Sequence, residues 1–251
     1  AQRAGACVGL LRATTHTGAL GYFTSRIADR GMLGIAMAAS GPHMAYHGAA
    51  ANGVSTAPLS IAAPGAHGAA PMAFDMASSA VALGKLMQAK AAGVPLQPGW
   101  AIDGSGAPTL DAAAAKTLLP LGGPKGSGLA LMAEVVCSLL GANPILAPAL
   151  GQRSAQRRHR QNAFVLAVDI AQITSLADFQ REMGELVQAI KRLPAASQAP
   201  ILMPGERGER ERHNRIAHGI VLPAPTAKAL QALAGRLGLP APWQADTALS
   251  T

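Results

Sequence analysis

Several side chains able to do chemistry stand at the ends of apolar runs, outside any standard catalytic signature. His16 sits in TTHTG (14–18), after a strand-length apolar run at 7–11 and before Leu20, Phe23 and Ile27 at helical spacing. A histidine at a strand's C-terminal end in an α/β fold stands where catalytic groups gather, and its near-neutral pKa suits proton transfer. A histidine that merely caps the following helix would look the same. Asp75 ends a strand in FDMASS (74–79), with Ser78 and Ser79 expected to open a helix. Backbone N–H groups there would suit a phosphate and Asp75 a ribose hydroxyl, although an ordinary N-cap has the same pattern. The most distinctive stretch is GGPKGSG (122–128). Its glycines let backbone approach a ligand closely, and Lys125 adds positive charge at the N-terminus of an apolar helix. PGER (204–207) follows the apolar run ILM and would form another wall. Glu134, inside the apolar helix, reads as a paired structural carboxylate.

Signatures that would settle the chemistry are missing. There is no HExxH, GxSxG or GxxxxGK[ST], and no GxGxxG follows the first strand. His43 and His47 are four apart, but Pro42 and Gly48 argue against a helix aiming both at one metal, and no carboxylate or Cys stands nearby. No metal is expected. Glu206–Arg210 and Glu211–Arg215 have the spacing of self-compensating helix pairs.

These groups need a folded frame, and the composition provides for one. The 251 residues are 49% hydrophobic and 14% charged, which excludes a disordered chain. The 28 Gly and 18 Pro follow no collagen period. Aromatic residues are only 3%, too few for base-stacking surfaces. The net charge of +8 is spread along the chain apart from Arg153, Arg157, Arg158 and Arg160 in one polar loop, so no nucleic-acid partner is expected. Cys7 and Cys137 make no disulfide framework, which suits a reducing cytoplasmic setting. No run of 18 apolar residues suggests a membrane span.

The order of elements is α/β. Strands are expected at 7–11, 33–38, 59–63, 72–74, 164–168, 201–203 and 220–222. Helices are expected at 20–27, 78–92, 111–118, 126–140, 176–193, 206–216 and 226–237, with the apolar 126–140 covered on all sides. The Gly, Pro and His-rich stretch 40–58 reads as a long functional loop. The polar stretch 151–162 divides an N-terminal dinucleotide-binding core, 1–150, from a C-terminal α/β part, 151–251, that completes the cofactor site.

Six segments in register resemble the malate/L-lactate dehydrogenase-type family of NAD(P)-dependent oxidoreductases, which includes ureidoglycolate and sulfolactate dehydrogenase-like members. They are THTGALGYF (15–23), GVSTAPLSIAAPG (53–65), FDMASSAVALGKL (74–86), GWAIDGSGAPTLD (99–111), LLPLGGPKGSGLALMAE (118–134) and ILMPGERGER (201–210). The resemblance implies a mixed sheet with flanking helices and a nicotinamide site without the GxGxxG fingerprint. It implies NAD or NADP as cofactor, a small 2-hydroxy or 2-oxo acid as substrate, and a homodimer. His16 matches the histidine assigned as proton donor or acceptor in ureidoglycolate dehydrogenase-like members, whereas other members use the histidine of an SHG-type motif. Ser40, Asp75, Met76, Ala77, Lys125, Gly205, Glu206 and Arg207 match positions lining the dinucleotide, and Lys85 matches a further one. The family's initial helical segment, with an SHG-type motif and an arginine, has no counterpart in residues 1–14, so an incomplete catalytic unit is expected. The alternative is a non-catalytic dinucleotide-binding or dimerisation protein derived from the family.

Overall fold

The computed structural model describes residues 1–151, 161–196 and 198–240. Two compact units divide the chain after Arg207. In the first, five long strands form one antiparallel sheet in the order β1 (Ala6–Thr14), β10 (Gln161–Asp169), β2 (Met32–Ala39), β5 (Leu59–Ala63) and β6 (Met72–Met76). Strand β10, from beyond residue 151, thus pairs with β1 on one side and with β2 on the other.

Small side chains decide what covers this sheet. Helix α1 (Leu20–Ala28) packs across β2 and β5. A Cβ at Gly34 would lie 3.0 Å from Ile27 Cβ and 3.1 Å from the Thr24 carbonyl oxygen, so glycine there permits the close approach. Leu20 fills the space above Ala36, Ala38 and Ala163. Thr24 Oγ1 and Ser60 Oγ are 2.7 Å apart, and Ser60 Oγ donates to the Phe74 carbonyl at 3.0 Å. That buried hydroxyl pair links α1 to β5 and, through Phe74, to β6.

A second sheet is built from pieces of two or three residues: β4 (Asn52–Val54), β3 (Met44–Ala45), β9 (Thr117–Leu118), β7 (Ala101–Ile102) and β8 (Pro108–Thr109), in that order. Its core cluster joins Met44, Val54 and Leu118 to Leu86 of α2 (Leu83–Ala92) and to Ala130 and Ala133 of α3 (Pro124–Glu134). Helix α3 continues as a π-helical turn, Val135–Leu139, that packs on β10 and β2 and so bridges the two sheets. A short α4 (Leu146–Leu150) follows, and α5 (Leu176–Lys191) comes after β10. Helix α6 (Glu206–His218) starts at the end of the first unit. The second unit carries the rest of α6 and helix α7 (Ala224–Arg236), neither with a buried residue.

Several expectations are corrected. The helix expected from residue 78 begins at Leu83; Ser78 and Ser79 instead run beside Pro120, where Ser79 forms a bridge. Asp111 opens a turn stabilised by its Oδ1 accepting from Ala113 N–H, and β9 follows where helix 111–118 was expected. The three-residue apolar runs 201–203 and 220–222 form no strand, since no neighbour pairs with them. The helix through 126–140 is not covered all round: Leu131, Met132, Leu139 and Leu140 are exposed. The basic residues Arg153, Arg157, Arg158 and Arg160 lie outside the described residues.

Candidate functional site

The bulge at the end of β1 and the turn after it place His16. Gly18 N–H donates to His16 Nδ1 at 2.9 Å. With Nδ1 accepting, the neutral ring carries its proton on Nε2. His16 stands on the wall of a cavity of about 850 Å³, with Ser40 from the end of β2, Thr56, Leu83 and Met87 at α2, and Asn143 and Gln161. A second, mostly apolar pocket of about 260 Å³ shares His16 and Thr17 and adds Thr14, Leu20, Phe23 and Val165. Both pockets therefore converge on the histidine turn.

His43 also lines the larger cavity. Desolvation against its walls holds the imidazole below its ordinary value, although part of the side chain stays open to solvent. The chain separates it from His47, whose ring would meet a Cβ on Gly123 at 3.3 Å. Among the described residues no three His, Cys, Asp or Glu side chains gather as a metal site. The larger cavity's described wall holds no Lys or Arg, only the imidazoles of His16 and His43.

Two buried polar atoms at this end lack hydrogen-bond partners among the described residues. They are Thr14 Oγ1 and Gln161 Oε1, on residues paired directly across β1 and β10. Buried polar groups are normally satisfied, so the pair stands out beside the cavity.

The other expected site residues lie outside the larger cavity's wall. Asp75 Oδ2 accepts from Gly21 N–H at 2.7 Å, placing a carboxylate at the first turn of α1, where the helix dipole favours it. Met76 ends β6 and Ala77 follows it. Ala73 N–H donates to the Pro204 carbonyl at 3.3 Å, which brings PGER against the β6 edge. A Cβ on Gly205, at φ +86°, would lie 2.9 Å from the Ala73 carbonyl oxygen. Glu206 Oε2 pairs with Lys191 Nζ at 2.9 Å and accepts from Met203 N–H at 3.0 Å. Arg207 closes the first unit.

At the other end of the same segment, Leu121 N–H donates to the Ser78 carbonyl at 2.9 Å and Ala80 N–H to the Leu119 carbonyl at 2.8 Å. The segment 73–78 thus touches PGER at Ala73 and, at Ser78, Leu121 just before the glycine-rich turn. That turn holds Gly122 and Gly123 at φ +58° and +61° before α3, with Lys125 exposed. Lys85 is exposed in the first turn of α2, next to Gly84, which lines the cavity. Glu134 is buried and no ion pair for it is seen among the described residues: its Oε1 accepts from Ile145 and Leu146 N–H at 2.7 and 2.9 Å, fixing the start of α4 at the cavity wall, while its Oε2 has no partner there. Sequence reasoning missed His43 as a cavity residue, and it missed Asn143 and Gln161, which stand beside the basic stretch without a motif of their own.

This two-sheet α/β fold, with its glycine-rich turn and histidine-walled cavity, is that of the malate/L-lactate dehydrogenase family. The family's model matches residues 1–231, and the chain belongs to that family. It is similar to L-sulfolactate dehydrogenase of Methanocaldococcus jannaschii, 31% identical over 86% of this chain and 62% of that protein. It is 39% identical to ureidoglycolate dehydrogenase (NAD(+)) of Escherichia coli K12 over 56% of this chain and 40% of that protein. The solved M. jannaschii sulfolactate dehydrogenase superposes with a TM-score of 0.80 at 29% identity, covering 95% of this chain and 69% of that one. The chain spans less than two thirds of the length of these first two relatives. No helix among the described residues is long and apolar enough to cross a membrane.

Proposed function

We propose that the chain carries the dinucleotide and proton-transfer parts of an NAD(P)-dependent oxidoreductase acting on a small 2-hydroxy or 2-oxo acid. The observation that carries this reading is His16, held on the cavity wall with Nδ1 engaged by Gly18 and the ring proton left on Nε2. When bound, a nicotinamide supplies a hydride to the C2 carbon of the acid. His16 holds its Nε2–H as a hydrogen-bond donor to the oxygen that takes up negative charge, and water supplies the proton that completes the hydroxyl, since the neutral ring keeps its own. Lys125 and the turn 122–126 suit a pyrophosphate, with Ser40, Asp75, Met76, Ala77, Lys85 and Gly205-Glu206-Arg207 along the remainder of the dinucleotide. The working unit is a homodimer. The M. jannaschii and E. coli relatives, a sulfolactate and a ureidoglycolate dehydrogenase, support the acid class.

The test is NADH and NADPH titration by fluorescence, with oxidation assayed against a panel of 2-oxo acids. Lys125→Ala weakens cofactor binding by roughly 1–3 kcal/mol if a charge-assisted bond is lost. His16→Asn abolishes turnover while binding persists. Unchanged affinity in the lysine variant removes Lys125 from the site. Cofactor binding by the wild type without turnover favours a non-catalytic binding protein.

A further inference from the structure

We propose that Asn162 is a positioning residue for His16: its buried amide holds the bulge that turns β1 into the histidine loop. This rests on the reading of His16 as the Nε2–H donor to the reacting oxygen. Leu11 faces Ala163 and Thr14 faces Gln161, so three steps along β1 match two along β10 and one residue is extra. Within the bulge, Ala13 sits at φ +57°, a left-handed conformation that L side chains resist. Such a residue persists only where its surroundings over-determine it. The restraint on the page is Asn162 Oδ1, which accepts from Ala13 N–H at 3.0 Å.

Asn162 is itself fixed. Its side chain is fully buried, and Oδ1 also accepts from Asn143 Nδ2 at 2.8 Å. Its Nδ2 donates to Ser138 Oγ at 3.0 Å and to the Asn143 carbonyl at 2.9 Å. Rotating the amide would set its NH2 against two donors, so the acceptor aimed at Ala13 cannot turn away. Asn143 lines the same cavity as His16. One side chain therefore ties the histidine's lead-in strand to the facing wall, three residues before the proton-bearing ring. An asparagine that only filled space would have no need to hold a strained residue.

Glycine adopts φ +57° freely, which gives a rescue that a packing role would not show. In Asn162→Ala, kcat falls roughly tenfold to hundredfold with little change in NADH affinity, as expected for a displaced hydrogen-bond donor at the reacting oxygen. Ala13→Val, which leaves the buried network intact, reproduces the loss. The double variant Ala13→Gly/Asn162→Ala regains most of it. Nitrogen NMR of the histidine rings gives an activity-independent reading, with the His16 signal assigned by its loss in His16→Asn. The Nε2–H form dominates in the wild type and the double variant, and mixed tautomers appear in Asn162→Ala and Ala13→Val. A wild-type kcat and His16 spectrum in Asn162→Ala overturn the proposal, as does a loss that glycine at 13 fails to restore. If the wild type turns over no 2-oxo acid, the oxidoreductase reading falls, and the NMR comparison alone decides the role of Asn162.

Discussion

Gly126 occupies the first turn of α3, where replacing a helical glycine by alanine ordinarily gains up to about 1 kcal/mol. Here the sign reverses. A Cβ at 126 would lie 2.4 Å from the Ser78 carbonyl oxygen and 2.6 Å from both the nitrogen and the oxygen of Leu121. Ordinary contact begins at 3.4 Å, so the first of these atoms must retreat by 1.0 Å. All three are backbone and joined to one another. Leu121 N–H donates to the Ser78 carbonyl at 2.9 Å, and Gly126 N–H to the Leu121 carbonyl at 2.8 Å. Parting them weakens two hydrogen bonds of about 1 kcal/mol each and strands buried groups at about 1–3 kcal/mol apiece. After the gain in helix propensity, Gly126→Ala should cost roughly 2–5 kcal/mol. Gly128, one half-turn on, has no atom within 4 Å of its would-be Cβ, so Gly128→Ala should be neutral or gain roughly 0.5–1 kcal/mol. Thermal unfolding followed by circular dichroism compares the pair, with Gly126→Ala expected to melt roughly 5–15 °C lower. Equal stability of the two variants would refute the close approach of the glycine-rich turn to FDMASS.

Asp75→Ala removes the carboxylate that accepts from Gly21 N–H at the head of α1 and should cost about 1 kcal/mol, read from the urea midpoint. Asp75→Asn, which keeps an acceptor, should lose less; equal losses would show that the carboxylate does not cap the helix. His43 has its pKa lowered from 6.5 by desolvation, so below pH 6.5 the unfolded chain takes up this proton before the folded one. Its contribution to stability is therefore complete above pH 6.5 and is lost as pH falls through the lower folded value. An NMR titration should place the His43 midpoint below 6.5, and His43→Gln should soften the acid side of the stability profile. A midpoint at or above 6.5 would contradict its place in the cavity wall.

The long sheet could be read from the sequence because each of its five strands is itself an apolar run, and residues 33–38 and 59–63 are seen within a residue or so of β2 and β5. Strands β3, β7, β8 and β9 have two residues each, too few to show an alternation, so the stretches holding the first three read as loop and that holding β9 as the end of a helix. The serines at 78 and 79 show how a local signal misleads. Serine before an apolar run is a good N-cap, but the carbonyl of Ser78 and the bridge at Ser79 are already committed to residues 120–121. The runs at 201–203 and 220–222 fail for the converse reason. Their apolar content alone makes no strand: among the described residues neither run joins a ladder, even though Pro204 touches the β6 edge.

The same distinction separates the parts of the site that local pattern exposes from those it hides. His16 and Ser40 stand at the ends of β1 and β2, where a change in pattern advertises them. Gln161 and Asn162 stand at the start of β10, and nothing in their neighbours says which strand they will face. Their meaning comes from register. Gln161 faces Thr14 and Asn162 reaches the nitrogen of Ala13 because β10 pairs with β1 in this alignment and in no other. A slip of one residue would turn Asn162 to the other face, away from Ser138, and leave the left-handed Ala13 without its acceptor. Strand β1 is exposed almost throughout, so the alignment at this end is held by the buried Asn162 contacts and by the β10–β2 ladder. The core thus sets the geometry of the histidine turn, through a side chain that touches no substrate.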